Sequence, residues 1–154
     1  MKRLLHKRLH IATCKNMKNE IKVTAAVIIK NGKILLAQRG YGKMAGKWEF
    51  PGGKVEEAET PQMCLKRELK EEMGVDAVVG ELLMDYKYDY KDAIIHLFFF
   101  MVKDFNGEIK LSSHSAAEWV AFSDILKYDL LPADYRFAES LIKGNFDAYL
   151  KGRG

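Results

Sequence analysis

GKVEEAETPQMCLKRELKEEMGV, residues 53–75, contains a helix whose two ends are marked by their residue types. Thr60 is a favourable N-cap, because its hydroxyl can accept a hydrogen bond from a free N–H of the first turn. Pro61 follows at the first helical position, where its missing N–H costs nothing. Gly74 suits the left-handed conformation that commonly ends a helix. The stretch therefore predicts a helix over Pro61–Met73.

The predicted helix has an acidic face beside an apolar stripe made of Leu65, Leu69 and Met73. Glu68, Glu71 and Glu72 share one side, because their spacing is i, i+3 and i+4. These like charges repel one another, so a cation must offset the repulsion if the side chains converge. Hard oxygen ligands suit Mg²⁺ or Mn²⁺ rather than zinc. By composition alone, an exposed charged helix is the competing interpretation, since Glu and Lys are good helix formers.

A glycine corner precedes the helix. Trp48-Glu49-Phe50 is predicted to be a short extended piece, and Pro51-Gly52-Gly53 ends it. Glycine lets the backbone come close to a ligand or a metal ion. A tight corner followed by an acidic helix is a plausible arrangement for binding metal and phosphate together.

Segments rich in β-branched and apolar residues on both sides of this unit predict strands. Asn31-Gly32 predicts a hairpin, because type I′ geometry needs a positive φ at both central residues. Asn106-Gly107 predicts a second turn. The predicted strands are Val23–Lys30, Lys33–Arg39, Ala77–Tyr90, Ala93–Val102 and Trp119–Phe122.

A second helix is predicted over Asp134–Leu150, with Gly144 as a weak point. Its apolar side is predicted to consist of Phe137, Leu141 and Ile142. Strands that interleave with two helices predict an α/β (α+β) domain in which a mixed sheet lies between helices.

The composition is that of a folded domain, with 48% hydrophobic and 30% charged residues, which argues against global disorder. A length of 154 residues predicts one domain over residues 17–154, preceded by a basic extension, residues 1–16, that is poorly ordered. The extension holds five of the 25 basic residues and no acidic one, which leaves 20 basic against 21 acidic residues in the domain. No stable binding to nucleic acid is therefore expected.

The compartment is predicted from the same features. The extension lacks the apolar core and cleavage site of a secretory signal, although its lack of acids faintly resembles a transit peptide. No apolar run is long enough to span a bilayer. Cys14 and Cys64 have no metal-ligand spacing and suit a reducing environment. A cytoplasmic protein without a membrane partner, monomeric or homodimeric, is expected.

The fixed positions of residues 53–75 resemble the Nudix box, GX5EX7REUXEEXGU, in which U is aliphatic. The resemblance extends through most of residues 22–142 to the MutT-like nucleoside triphosphate pyrophosphohydrolases, including the bacterial members that cleave CTP. Every fixed position matches, at Gly53, Glu59, Arg67, Glu68, Leu69, Glu71, Glu72, Gly74 and Val75.

The resemblance implies a role for each of these residues. Arg67 would orient the glutamates, Glu59 would support the joint between loop and helix, Gly53 would permit a tight approach, and Glu68 would activate water. Glu71 would also belong to the catalytic set, and Gly74 would be structural. Divalent metal, Mg²⁺ with Mn²⁺ as a substitute, would be held by the Gly52 carbonyl and by Glu68, Glu71 and Glu72.

The implied reaction is attack of water on a nucleoside triphosphate, which yields the monophosphate and pyrophosphate and serves to cleanse the nucleotide pool. A (deoxy)cytidine or modified pyrimidine nucleotide is the favoured substrate. The alternatives are 8-oxo-dGTP, ADP-ribose or a dinucleoside polyphosphate. A nucleotide sensor that does not catalyse is a further alternative, which the complete set of box glutamates opposes.

The chain departs from the family at one position. MutT-like enzymes carry a further glutamate in a loop after the sheet, and Ser113 occupies that position here. Serine cannot replace a carboxylate as a metal ligand or a base. Either Glu68 or another box glutamate therefore serves as the base, or fewer metal ions bind, or Glu118 compensates.

Recognition of the rest of the nucleotide is assigned to residues outside the box. Arg39 aligns with an arginine that holds phosphates in MutT-like enzymes, or is a solvated arginine at a strand end. Phe50 can stack on a base, or pack in the core. Asp134, in the sequence Pro132-Ala133-Asp134, can accept from a cytosine amino group, or cap the last helix. The resemblance favours cytidine, because the CTP-cleaving members share this tripeptide.

Tyrosines and histidines carry weaker indications. Tyr86, Tyr88 and Tyr90 alternate along a predicted strand and so share one face, which packs on the sheet or lines a pocket or a dimer interface. His96 is interpreted as a satisfied core residue in an apolar strand. His114 has no partner in the sequence for binding a metal ion.

Overall fold

The computed structural model describes residues 17–151. Its eight strands and three α-helices, counted within those residues, follow one another along the chain. The strands are β1 Asn19–Val27, β2 Ile29–Lys30, β3 Lys33–Arg39, β4 Trp48–Glu49, β5 Gly52–Lys54, β6 Asp76–Asp89, β7 Ala93–Asn106 and β8 His114–Ala121. The helices are α1 Pro61–Met73, α2 Tyr135–Ile142 and α3 Asp147–Leu150, and 3₁₀ turns span Phe122–Lys127 and Pro132–Asp134.

The strands form two four-stranded sheets. The first has the order β5-β1-β7-β6, in which β1 runs parallel to β7 and the other two pairs are antiparallel. In the second, β3 pairs with β2, β4 and β8, all antiparallel. The predicted mixed sheet is therefore confirmed.

The chain passes from one sheet to the other at Ile28. The prediction of one strand over Val23–Lys30 is wrong at this point, because β1 pairs in the first sheet and β2 in the second. The hairpin that follows is confirmed, since Asn31 and Gly32 have φ values of 51° and 71°. Both values are the positive ones that a type I′ turn requires.

The core consists of two layers, one on each side of the sheets. Alternation along the strands sends Val27 and Phe99 to the layer under α2, and Ile28 and Phe100 to the layer under α1. Each buried aliphatic or aromatic side chain contributes about 1.5–3 kcal/mol relative to exposure. The sheets thus lie between helices, as the sequence predicts.

The C-terminal helix is shorter than predicted. Asp134–Leu150 is not one helix, because Gly144 adopts a φ of 77° and separates α2 from α3. Phe137 and Leu141 are buried as expected, but Ile142 is 40% exposed at the end of α2.

Two strand boundaries also differ from the prediction. The predicted strand Trp119–Phe122 is the end of the longer strand β8, and Phe122 begins a 3₁₀ turn. Strand β7 continues beyond Val102 to Asn106, where Gly107 turns the chain with a φ of 110°. Within residues 17–151, no helix is long and apolar enough to cross a membrane. The predicted basic extension and Cys14 lie outside the described residues.

Candidate active site

A cavity of about 650 Å³ opens between the glycine corner, helix α1 and the segment that precedes α2. Glu68 and Glu72 lie at one end of it. Another part of the cavity wall comes from the segment before α2, with Ala133 and Asp134, and from Tyr90, which directly follows β6. A volume of this size is typical of a small-molecule site, since such pockets measure roughly 300–1,000 Å³.

Helix α1 presents its acidic residues to the cavity because its apolar stripe is anchored in the core. Thr60 accepts from the backbone N–H of Met63 over 3.2 Å, and Gly74 ends the helix with a φ of 70°. The predicted bounds and caps of this helix are therefore confirmed. The anchoring side chains, each at most 1% exposed, are Leu65, Leu69 and Met73.

The three glutamates of the acidic face do not share one environment. Glu68 and Glu72 border the cavity, with side chains 13% and 23% exposed. The Glu71 side chain is 59% exposed and accepts from Arg67 over 3.1 Å. The structure therefore brings two of the three carboxylates together at the cavity and leaves the third at the helix surface.

Arg67 ties the loop to the helix. Its Nε and Nη2 donate to the two carboxylate oxygens of Glu59 over 3.0 and 2.7 Å, a bidentate pair. Nη1 donates to Glu68 over 3.0 Å, and Nη2 also reaches the carbonyl of Lys54. The hydrogen bonds from Arg67, with one from the Glu56 backbone, lower the pKa of Glu59 to about 2. This geometry suits the orienting role that the resemblance implies for Arg67.

The glycine corner is closely packed against its neighbours. An added Cβ at Gly52 would lie 1.9 Å from the carbonyl oxygen of Thr24, on the paired strand β1. An added Cβ at Gly53 would lie 2.2–2.6 Å from the carboxyl group of Glu68. No other residue type allows the backbone to come so close to this carboxylate.

The carboxylates at the cavity are in an unfavourable electrostatic position. Burial raises the pKa of Glu68 despite the hydrogen bond from Arg67. Burial, together with the charges of Glu68 and Glu49, raises the pKa of Glu72 to about 7, while His114 opposes the shift. A cation between Glu68 and Glu72 would stabilise their ionised forms.

The donor set is compatible with a hard divalent ion. Among residues 17–151, no three His, Cys, Asp or Glu side chains converge closely enough to hold a metal ion on their own. Mg²⁺ commonly uses only one or two carboxylates and completes its shell with water and substrate phosphate. Glu68, Glu72 and the backbone of Gly52 border the same cavity and suit this mode of binding.

Two residues that the sequence analysis did not place in the site lie between the acidic residues of α1, which form the metal end of the cavity, and the segment before α2, which forms its base end. The Glu49 carboxylate accepts from Arg39 over 3.1 Å, and its other oxygen lies 3.1 Å from His114 Nε2. His114 Nδ1 is 3.9 Å from Glu72, and its side chain is 4% exposed. The position of Glu49 directly before the glycine corner could have indicated that it belongs to the site. The sequence around His114 contains no such indication.

Buried nitrogen atoms in this network lack partners. Arg39 Nε and His114 Nδ1 are buried without a hydrogen bond within the described residues. An unpaired buried donor or acceptor is costly, so such atoms commonly face a ligand or ordered water. Arg39 lines the cavity at the end of β3, which suits the phosphate contact that the resemblance implies.

Ser113 also lines the cavity, next to His114. Glu118 does not compensate for the missing loop carboxylate, because it accepts from the Tyr128 hydroxyl over 2.5 Å at the protein surface. Glu49, on β4, places a carboxylate oxygen 3.1 Å from His114 Nε2.

At the base end, Asp134 is buried with an exposed fraction of 3%. Its Oδ2 accepts from the backbone N–H of Phe50 over 3.2 Å, and it makes no capping bond to α2. The helix-cap interpretation of this side chain is therefore wrong. Burial raises the pKa of Asp134 well above its usual range, and the nearby charge of Glu49 adds to the shift.

The Phe50 side chain belongs to the core. Its ring is 3% exposed and meets Phe99 and Phe137 edge to face, at centroid distances of 5.7 and 5.3 Å. Although Phe50 contributes to the cavity wall, these contacts favour the core-packing interpretation over a stacking platform for a base.

The tyrosines and the second histidine have different surroundings. Tyr86 is 7% exposed and stacks on Phe99, and Tyr90 lines the cavity. His96 is satisfied, as expected, but by a carboxylate at the sheet face: its Nε2 lies 2.7 Å from Asp85.

These features define a class of protein: an α+β fold in which an acidic helix and a glycine corner flank a cavity of nucleotide size. A family model described as the NUDIX domain matches residues 20–141. The chain therefore belongs to the Nudix family, as the box predicts.

Its relatives include MutT-like proteins. The chain is 43% identical over 123 residues to a protein of Escherichia coli named CTP pyrophosphohydrolase, covering 79% of this chain and 91% of that one. It is 45% identical over 95 residues to a Haemophilus influenzae protein named 8-oxo-dGTP diphosphatase, covering 60% and 70%. The solution structure of the E. coli ORF135 protein matches with a TM-score of 0.76 and 40% identity, covering 88% and 96%.

Proposed function

We propose that this protein hydrolyses nucleoside triphosphates to the monophosphate and pyrophosphate with Mg²⁺, and that cytidine or modified pyrimidine nucleotides are its substrates. The observation that carries the proposal is the pair of partly buried carboxylates, Glu68 and Glu72, beside the glycine corner and in the same cavity as Asp134. One end of the cavity thus suits metal and phosphate, and the other suits a base.

Glu68, Glu72 and the Gly52 carbonyl would hold the divalent ion, with Glu71 as a further ligand after a change of rotamer. When bound, such an ion lowers the pKa of coordinated water and neutralises phosphate oxygens. Mg²⁺ fits better than a softer metal, because all of these donors are oxygen atoms.

The residues of the chain supply positioning and proton transfer. Glu68 accepts the proton of the attacking water, and Arg67 holds its carboxylate by the hydrogen bond from Nη1. Arg39 contacts the phosphates, and Glu49 fixes the direction of its guanidinium group. Because phosphoryl transfer depends mainly on positioning and electrostatics, these contacts account for most of the expected catalysis.

The hydrogen bonding of Asp134 supports a cytidine nucleotide as the substrate. With Oδ2 engaged by Phe50, the remaining oxygen of an ionised carboxylate can accept from an exocyclic amino group, which cytosine has and uracil lacks. The identity to the relative named CTP pyrophosphohydrolase supports the same choice.

One observation favours a second candidate, 8-oxo-dGTP. The raised pKa of Asp134 favours a neutral carboxylic acid. A neutral acid both donates and accepts, as an amide does, and so can pair with an oxidised guanine. Relatives named 8-oxo-dGTP diphosphatase agree with this alternative.

A substrate panel tests the proposal. Purified protein with Mg²⁺ is given CTP, dCTP, 5-methyl-dCTP, 8-oxo-dGTP, ADP-ribose and diadenosine tetraphosphate, and the products are identified by chromatography. We expect the highest kcat/KM on a cytidine nucleotide, with CMP or dCMP and pyrophosphate as products. Preference for 8-oxo-dGTP would select the second candidate, and tight binding without turnover of any compound would indicate a sensor.

A further inference from the structure

Two tyrosines hold the peptide groups on both sides of Ala133, directly before Asp134. The Tyr86 hydroxyl donates to the carbonyl oxygen of Ala133 over 2.5 Å. The Tyr90 hydroxyl accepts from the backbone N–H of Ala133 over 3.3 Å. Tyr86 lies in β6 and Tyr90 directly follows that strand, so this part of the first sheet holds the backbone that leads into Asp134.

The two hydroxyl groups differ in the hydrogen-bonding capacity that remains unused. A phenol has one proton to donate and two lone pairs that accept. The buried Tyr86 gives its proton to Ala133. The Tyr90 hydroxyl only accepts there, and within residues 17–151 its own proton has no acceptor. Because Tyr90 also lines the cavity, this proton is available to a bound molecule.

Tyr90 remains a donor at neutral pH. Burial raises the pKa of its hydroxyl group, and the nearby charge of Asp134 raises it further. The Tyr90 hydroxyl contacts the backbone N–H of Ala133, the residue directly before Asp134, and both Tyr90 and Asp134 line the cavity. The base end of the cavity therefore has a fixed donor beside an acceptor.

We propose that Tyr90 is a specificity-determining residue, which donates a hydrogen bond to the nucleotide base while Asp134 accepts one. This inference rests on the proposed function. A donor beside an acceptor matches a base edge on which a ring nitrogen that accepts lies next to an amino group that donates. Cytosine and adenine present that edge, whereas uracil presents the reverse order and leaves both protein groups unpaired. A site that hydrogen-bonds a substrate discriminates because the wrong base leaves buried polar groups without partners.

The test compares Tyr90→Phe with the matched control Tyr88→Phe. The Tyr88 ring packs 4.7 Å from the Tyr90 ring, yet among the described residues its hydroxyl makes no hydrogen bond to Ala133. Both variants keep the aromatic ring, so packing is preserved. For each protein, kcat and KM are measured on CTP and UTP, and binding of CMP and UMP is measured by calorimetry.

We expect Tyr90→Phe to lower the preference for CTP over UTP by about fivefold to tenfold, the effect of one hydrogen bond, mostly through KM. Affinity for CMP should fall by a similar factor, and Tyr88→Phe should keep the wild-type ratio. An unchanged CTP to UTP ratio in Tyr90→Phe, or an equal change in both variants, would overturn the assignment.

The binding measurement separates this inference from the proposed activity. If the wild type cleaves no triphosphate but binds CMP in a manner that depends on the Tyr90 hydroxyl, the activity is refuted and the assignment of Tyr90 stands. If the wild type cleaves CTP and binds CMP and UMP equally, the activity stands and the assignment of Tyr90 is refuted.

Discussion

The backbone N–H of Phe50 donates to Asp134 Oδ2 over 3.2 Å, although 84 positions separate the two residues. This hydrogen bond joins the segment before the glycine corner to the start of α2. The same short segment carries Glu49, which contacts Arg39 and His114, and leads into Gly53, which lies against the Glu68 carboxyl group of α1. The metal end and the base end of the cavity are therefore built on one extended piece of chain.

The role of Asp134 can be tested through pH. If a cytosine amino group donates to the ionised carboxylate, CMP affinity should rise with pH, because the raised pKa of Asp134 makes ionisation incomplete at low pH. Calorimetric titrations from about pH 5 to about pH 8 would measure this dependence. Asp134→Asn should bind CMP with a flat pH profile and a changed base preference. The control is Asp104→Asn, at an exposed residue of β7. A wild-type affinity that falls as pH rises would favour the oxidised purine instead.

Glu68→Gln should reduce kcat by about 100-fold or more, since an amide cannot accept the proton of water. The fold should be retained, because the substitution removes a carboxyl group whose ionised form is disfavoured by burial. Pyrophosphate release measures the rate, and thermal unfolding monitors the fold. Glu57→Gln, on an exposed residue of the preceding loop, should behave as the wild type. A near-normal rate in Glu68→Gln would refute its assignment as the base.

Replacement of the two glycines of the corner by alanine should have different effects, one mainly on stability and the other mainly on activity. Gly52→Ala places a Cβ 1.9 Å from the Thr24 backbone, which belongs to a paired strand and cannot move, so we expect a large loss of stability. Gly53→Ala clashes with the end of the Glu68 side chain. That side chain can rotate, so the fold should survive while activity falls by about tenfold or more. Melting temperature and kcat, measured on both variants, distinguish the two effects, and equal losses of stability would contradict this account.

Glu72 should make the stability of the metal-free protein depend on pH. Its folded-state pKa of about 7 is above the ordinary value of 4.5. The protonated form is thus favoured by folding, so its contribution is fully present below about pH 4.5 and is lost as pH rises through about 7. Denaturant unfolding in the presence of a chelator should therefore show a decrease in the free energy of unfolding across this window.

Glu72→Gln should flatten that decrease, whereas the exposed control Glu139→Gln should leave it unchanged. Millimolar Mg²⁺ should restore stability to the wild type above neutral pH, because a ligand that binds only the folded state stabilises it. A wild-type stability that is constant across the window, or that Mg²⁺ does not alter, would argue against a desolvated carboxylate site.

Several parts of the molecule were predictable because their causes are local. The bounds of α1 depend on Thr60, Pro61 and Gly74, each within a turn of the residues it affects. The hairpin at Asn31-Gly32 depends on the conformational preferences of two adjacent residues. The break in the C-terminal helix is also local, since it falls at Gly144, the weak point that the sequence indicated. By contrast, the long first strand is divided at Ile28 because its two parts pair with distant strands in different sheets.

The features of the site also divide into those that the sequence predicts and those that depend on tertiary contacts. The order of residues along the chain was sufficient for the family, for the acidic face of α1 and for an oxygen-rich metal site, since helical periodicity brings residues i, i+3 and i+4 together. It could not show that Glu68 and Glu72 border the cavity while Glu71 pairs with Arg67 at the surface. Nor could it show that Glu49 meets His114, or that Tyr90 supports the peptide beside Asp134. Those contacts join segments far apart in the chain, and they arise when the two sheets and α2 pack around a common core.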